Sequence, residues 1–375
     1  MKPRILHISS LRLGTGGIEG VILHLSRSLR DKYKFDILVD ADEDFTSRFI
    51  DACGGNVYTW TVRHMFDLNT IFKLNRMLYE FKPDLVHIHD SRISLLSRPL
   101  LRIKKIPSVF TVHLPSYYYQ WEKFTSLRRG LYIWVESLIN HLTLTAVVYV
   151  AKRTYEDALQ NEHTRKRQAN LIENGIDLTP FESLPSRNKD NQLPVICCVA
   201  RLTLQKNIPL LIKSADILKQ QGAEFKLWIV GDGPDRSVLE DMVQSHGLTE
   251  TIKFWGRRSD IANLLPQADI FILPSLYETH PLAVMEAQAA GLPCVLSDVG
   301  DHSFLVNNPE CGYVFRSNDA IACAKALHTL LTSPDKRAKF GEAARIKAMK
   351  EYGMEKMAQG YDYLYKTLLQ KRANV

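Results

Sequence analysis

Apolar, β-branched runs at 5–8, 35–39, 85–88, 108–112 and 146–150 alternate with segments of helical spacing, and after a polar break the alternation restarts at 195–199, 225–230, 252–255, 270–274 and 293–297. Parallel strands need long crossovers that a helix fills, so this rhythm predicts parallel sheets covered by helices on both faces. The break at 183–193 is polar, carries Pro185 and has no period, as a linker would. A length of 375 residues accommodates two domains. The expectation is a clam-shell of two Rossmann-like, doubly wound domains, 1–182 and 194–353, with ligand in the cleft that the strand carboxyl ends face.

Composition narrows the class. With 45% hydrophobic and 24% charged residues the chain is neither disordered nor collagenous. No run of 18 apolar residues offers a membrane span, and the N-terminus enters a strand pattern directly, so a cytoplasmic location is expected. Six cysteines without a C-x-x-C pair read as buried thiols of a reducing compartment. Residues 1–180 carry a formal +6 of the chain's +7. Within them Arg92, Arg98, Arg102, Lys104, Lys105, Lys123, Arg128 and Arg129 face one acid, Glu122, with Tyr118 and Trp121 interleaved. A solvated helix face over core aromatics would look the same. The sharper expectation is an acceptor or membrane side made by Arg102, Lys104, Lys105, Tyr118, Trp121, Arg128 and Arg129, contacting an anionic bilayer and no nucleic acid.

Several loops follow strands and open helices. Gly14, Gly16 and Gly17 precede the first helical segment, but Glu19 stands where a dinucleotide fingerprint needs glycine. Asp40 and Asp42 have the spacing of a metal-binding carboxylate pair inside an acidic stretch that reads more simply as a solvated loop. Gly231 and Gly233 mark a second strand-to-helix turn, and Arg201 and Lys206 place two cations before a third helix, a pattern that suits a diphosphate. The strongest signal is Glu278 through Glu286. Pro281 suits a helix start, leaving the N–H groups of Leu282 and Ala283 free for phosphate oxygens between two carboxylates. Two acids could also serve glycoside hydrolysis, which needs no phosphate site between them.

The spacing of Glu278 and Glu286, followed by Ala290-Gly291-Leu292-Pro293 and Ser297-Asp298-Val299-Gly300, resembles the signature of family 4 retaining glycosyltransferases of the GT-B fold. Gly16-Gly17-Ile18-Glu19, Asn174-Gly175-Ile176-Asp177, Arg201 with Lys206, and Gly231-Asp232-Gly233 fall in the family's order along the whole chain.

The resemblance implies a donor site in the second domain and a closing helix, 354–375, that returns to the first. Arg201 and Lys206 would hold the diphosphate, Glu278 the sugar hydroxyls, Glu286 the ribose, and Leu282 and Ala283 the phosphate. Gly16, Gly17 and Gly231 would approach the donor closely, with Arg258 near the base. His113 would face the reacting sugar, with Arg201, Lys206 and Glu278 as the other catalytic groups, while His87 and His89 would only line the cleft. Departures from the family pattern are Leu114, Thr279-His280-Pro281, Ala200 and Asp301. The implied reaction is retaining, needs no metal or other cofactor, and moves a hexose from a nucleotide diphosphate sugar, UDP-linked by preference, to a hydroxyl acceptor in cell-surface glycan, polysaccharide or glycolipid synthesis. The rivals are a GT-B epimerase acting on the same donor and a non-catalytic nucleotide-binding protein.

Overall fold

The computed structural model describes all residues except 1, 14–16, 61, 63–67, 115–125, 144, 162, 184–192, 308–309 and 374–375, and leaves undescribed the side chains of 12–13, 68, 126–129, 132 and 373. The chain forms two compact units, residues 1–175 with 354–375, and residues 176–353.

The first unit holds parallel strands β1 (Arg4–Leu13), β2 (Lys34–Ala41), β3 (Val57–Thr59), β4 (Leu85–Ile88), β5 (Ser108–Val112), β6 (Ala146–Tyr149) and β7 (Ala169–Leu171), in the order β3-β2-β1-β4-β5-β6-β7. Strands β4, β5 and β6 are buried at every residue, which is why they read as unbroken apolar runs. Asp42 resolves the carboxylate pair seen in the sequence: it caps the helix Glu43–Cys53, accepting from the Phe45 N–H at 2.8 Å. Asp90 caps the helix Ser91–Ile103 and also ties down the end of β1, accepting from the Ser10 N–H at 2.6 Å and the Ser9 hydroxyl at 3.0 Å.

The closing helix Met354–Ala373 belongs to this unit. Tyr361 and Tyr365, on one helix face, are fully buried. Asp362 accepts from Lys32 Nζ at 2.6 Å and from the Tyr33 hydroxyl at 2.8 Å. Burial alone would raise its carboxyl pKa, but the donors Lys32, Lys366 and Tyr33 outweigh burial and hold it below the usual range.

The second unit has parallel strands β8 (Val195–Val199), β9 (Lys226–Val230), β10 (Ile252–Gly256), β11 (Ile270–Leu273), β12 (Cys294–Ser297) and β13 (Gly312–Phe315), in the order β10-β9-β8-β11-β12-β13. The strand order thus repeats that of the first unit. The units divide before the expected boundary at 182. Ile176 donates its N–H to the Tyr352 carbonyl at 2.8 Å, and Phe181 packs into the second core, so 176–182 belongs with the second sheet. Most of the expected linker, 184–192, lies outside the described residues. Strands β3, β7 and β13, absent from the sequence expectation, are edge strands of three or four residues with mixed burial, too short to show a period. All six cysteines are free thiols, five of them buried. Among the described residues no helix is long and apolar enough to cross a membrane.

Candidate active site

In the second sheet the strand order reverses between β8 and β11, and a doubly wound sheet binds ligand at the carboxyl ends of the strands on either side of such a point. The two loops leaving this point carry the sequence-predicted groups. After β8 come Arg201 and a single 3-10 turn, Leu204–Lys206, closed by Asn207 at φ +50°. After β11 comes the loop that ends in the helix Leu282–Ala289. The loops are stitched together by the Leu276 N–H on the Gln205 carbonyl at 2.8 Å and by Gln205 Nε2 on the Tyr277 carbonyl at 3.0 Å. That stitching brings Lys206 Nζ into an ion pair with Glu278, which also accepts from the Ser275 hydroxyl at 2.8 Å. Glu278 is buried, whereas Arg201 is exposed and its guanidinium has no hydrogen-bond partner among the described residues. Lys206 and Glu278 neutralise each other, so the charge of Arg201 remains for an anion.

Beside the pair lies a helix start without a side-chain cap. Pro281 occupies the N-cap position, and the N–H groups of Leu282 and Ala283 precede the first intrahelical bonds. Such a terminus carries partial positive charge. Glu286, one turn in, is half-buried, and its carboxylate has no hydrogen-bond partner among the described residues. Partial burial of its carboxyl disfavours the charged form and pushes its pKa up to about 7.

Glycines let the backbones meet. Gly300, at φ +51°, lies so close to the carboxylate loop that a Cβ there would be 2.3 Å from the Glu278 carbonyl oxygen. Gly231, at φ +133°, would place a Cβ 2.0 Å from the Ala200 carbonyl oxygen, so close packing between the ends of β8 and β9 explains it without a ligand. Arg258 pairs with Asp260, Nε to Oδ1 at 2.7 Å, and lies 5.4 Å from the Trp255 ring centroid. Two departures from the family pattern touch each other: His280 Nδ1 is 3.5 Å from Asp301 Oδ2, both buried. Ser275 and Gln205, which hold Glu278 in place, were not singled out from the sequence, and Gly300 gave a signal only as part of a motif.

In the first unit His113 follows β5, half-buried, with Nε2 3.2 Å from His89 Nδ1. Burial lowers the His113 and His7 pKa values to about 3, and His87 and His89 also lie well below the usual histidine range, with burial the largest cause. Gly17 begins the helix Gly17–Leu29; Gly16 lies outside the described residues. Arg102, Lys104 and Lys105 are exposed, whereas Tyr118 and Trp121, and the side chains of Arg128 and Arg129, lie outside the described residues. Arg98 leaves the basic surface altogether. It is fully buried, hydrogen-bonded to Asn140 and 5.1 Å from the Phe110 ring centroid.

The profile described as Glycosyltransferase Family 4 matches residues 15–180, and that described as Glycosyl transferases group 1 matches residues 181–347. The chain is 30% identical over 275 residues to an Escherichia coli UDP-Gal:alpha-D-GlcNAc-diphosphoundecaprenol alpha-1,3-galactosyltransferase, covering 70% of each chain. The chain belongs to glycosyltransferase family 4. This glycosyltransferase is also 27% identical to the putative glycosyltransferase EpsF of Bacillus subtilis, over 79% of each chain. Its GT-B fold matches Anabaena Alr3699/HepE, solved in complex with UDP and glucose, at a TM-score of 0.81 and 20% identity, covering 98% of this chain and 100% of that one.

Gly300→Ala in this glycosyltransferase must push the Glu278 backbone away, because the methyl would overlap its carbonyl and the positive φ disfavours any side chain. The expected result is a loss of roughly 1–3 kcal/mol in stability and weaker binding of nucleotide sugar, read by thermal melting and calorimetry. Unchanged melting and affinity would show that the loop does not depend on this approach.

Proposed function

We propose that this family 4 enzyme transfers a hexose from a UDP-linked donor to a hydroxyl of a glycan or lipid-linked glycan, with retention at the anomeric carbon and without a metal. The observation that carries the reading is the Lys206–Glu278 pair beside exposed Arg201 and an uncapped helix start at the β8/β11 reversal. A diphosphate needs more positive than negative charge around it, and these groups supply that without a metal ion. UDP in the Anabaena enzyme and the diphosphoundecaprenol substrate named for the Escherichia coli relative support the donor and acceptor classes.

Each group then has one task. Arg201 and Lys206 hold the diphosphate and stabilise the charge that grows on its outer oxygen as the glycosidic bond breaks. The N–H groups of Leu282 and Ala283 take another phosphate oxygen. Glu278 accepts hydrogen bonds from sugar hydroxyls, and Glu286 from the ribose. Those hydroxyls favour the ionised carboxyl, so donor binding draws Glu286 below its raised pKa and releases a proton. No side chain acts as nucleophile; the departing phosphate oxygen takes the acceptor proton on the face that it leaves. His113 faces the sugar. Arg258, engaged by Asp260, borders the base.

Kinetics with a UDP-sugar and acceptor test this reading. Lys206→Ala and Glu278→Ala should each lower kcat/KM by roughly a hundredfold or more, EDTA should leave the rate unchanged, and the product anomer should match the donor. An inverted product, or full activity in both variants, overturns it. Turnover of the nucleotide sugar without acceptor would instead mark an epimerase.

The first unit has a face suited to an anionic membrane, which would hold the enzyme peripherally at the cytoplasmic side. Leu131, Trp134, Leu138 and Leu142 are exposed along one stripe of the helix Ser126–Leu142, with Trp134 60% exposed. The helix Ser91–Ile103 packs against it and ends in exposed Arg102, Ile103, Lys104 and Lys105. Apolar residues entering the interface beside cations are the pattern of peripheral attachment. The protein should co-sediment with phosphatidylglycerol vesicles at low salt and less with phosphatidylcholine, and Trp134→Glu should weaken that binding. Equal sedimentation with both lipids would make the face an ordinary surface.

A further inference from the structure

Four imidazoles gather where the first sheet reverses its strand order, between β1 and β4. His7 on β1 and His87 on β4 are cross-strand partners, His89 follows β4, and His113 follows β5. His7, His87 and His89 are buried and their rings touch, with centroids 4.1–5.1 Å apart. Ring nitrogens of these three lie within 4.8 Å of one another, as metal ligands would. All six nitrogens, however, already have hydrogen-bond partners.

The partners form two separate chains. In one, Ser26 Oγ is 3.4 Å from His7 Nε2, His7 Nδ1 is 2.8 Å from His89 Nε2, and His89 Nδ1 is 3.2 Å from His113 Nε2. A neutral imidazole has one N–H and one lone pair, so a proton placed at one end sets every ring in the chain. The end is set at Ser26. Its hydroxyl is fully buried and has no other partner among the described residues, so it satisfies its own proton by donating to His7 Nε2. His7 then carries its proton on Nδ1 and donates to His89, which carries its proton on Nδ1 and donates to His113 Nε2. In the second chain the buried Tyr365 hydroxyl, with no other partner among the described residues, satisfies its proton on His87 Nδ1 at 2.6 Å, so His87 donates from Nε2 to Thr111 Oγ1 at 2.7 Å.

We infer that His7 and His89 are positioning residues that hold His113 in its Nδ1–H tautomer, opposite to the tautomer set in neighbouring His87. The consequence rests on the reading in which His113 faces the transferred sugar. With Nε2 occupied as acceptor and Nδ1 protonated, His113 has an N–H, and no lone pair, to offer a sugar oxygen that displaces its present neighbours. The depressed pKa values of all four rings agree, since burial keeps every one neutral at pH 7.

Multiple-bond proton–nitrogen correlation spectra of the ligand-free full chain, labelled with [15N]histidine, test the assignment directly. The expected spectrum shows protonated Nδ1 in His7, His89 and His113 and protonated Nε2 in His87. His113 or His89 protonated on Nε2 would overturn the inference whether or not any variant folds. In His89→Leu, His113 should shift toward the Nε2–H form, and kcat should fall about tenfold with donor KM changed less than about twofold. His89→Gln, whose amide can both accept and donate, should recover most of the rate. A shifted tautomer with unchanged kcat would refute the positioning role. An inert His113→Ala beside the expected wild-type spectrum would instead refute the reading that His113 faces the sugar.

Discussion

A carboxylate and an ammonium meet at the point where the second sheet reverses its strand order, and the donor-side arrangement depends on that contact. Burying Glu278 alone would be costly; with Lys206 and the Ser275 hydroxyl at its oxygens it is compensated. The pair also brings each side chain into place before ligand arrives. In the proposed donor complex Lys206 would only turn from one anion to another, and Glu278 would exchange a lysine for hydroxyl donors. Binding therefore begins from a site already organised, with little ordering left to offset.

The two units share one strand order and use its reversal differently. In the second, the loops beyond the strand ends carry full charges near an uncapped helix, as a phosphate-bearing ligand requires. In the first, the same position is filled by imidazoles and hydroxyls that are neutral and saturated with hydrogen bonds.

Much of this was legible in the sequence because it rests on local pattern. Buried central strands read as unbroken apolar runs, and Pro281 marked a helix start. The short edge strands β3, β7 and β13 did not show, since half-exposed segments of three or four residues carry no period. Side-chain environment was the harder quantity. Arg98 looked like one more surface cation, yet the helix turns it inward onto Asn140 and Phe110. His87 and His89 looked like lining, because nothing local reveals that β1 sets His7 beside them. Gly231 could equally face a ligand or make a plain turn, and only the structure reveals the close approach of the Ala200 carbonyl that requires a glycine there.

The most direct measurement is a crystal structure of the full chain with UDP bound. The account predicts the pyrophosphate against the second unit, within hydrogen-bond reach of Arg201, Lys206 and the N–H groups of Leu282 and Ala283, with ribose hydroxyls on Glu286. A nucleotide seated away from the β8 and β11 loops, or with Lys206 still turned to Glu278 and no contact to phosphate, would contradict it.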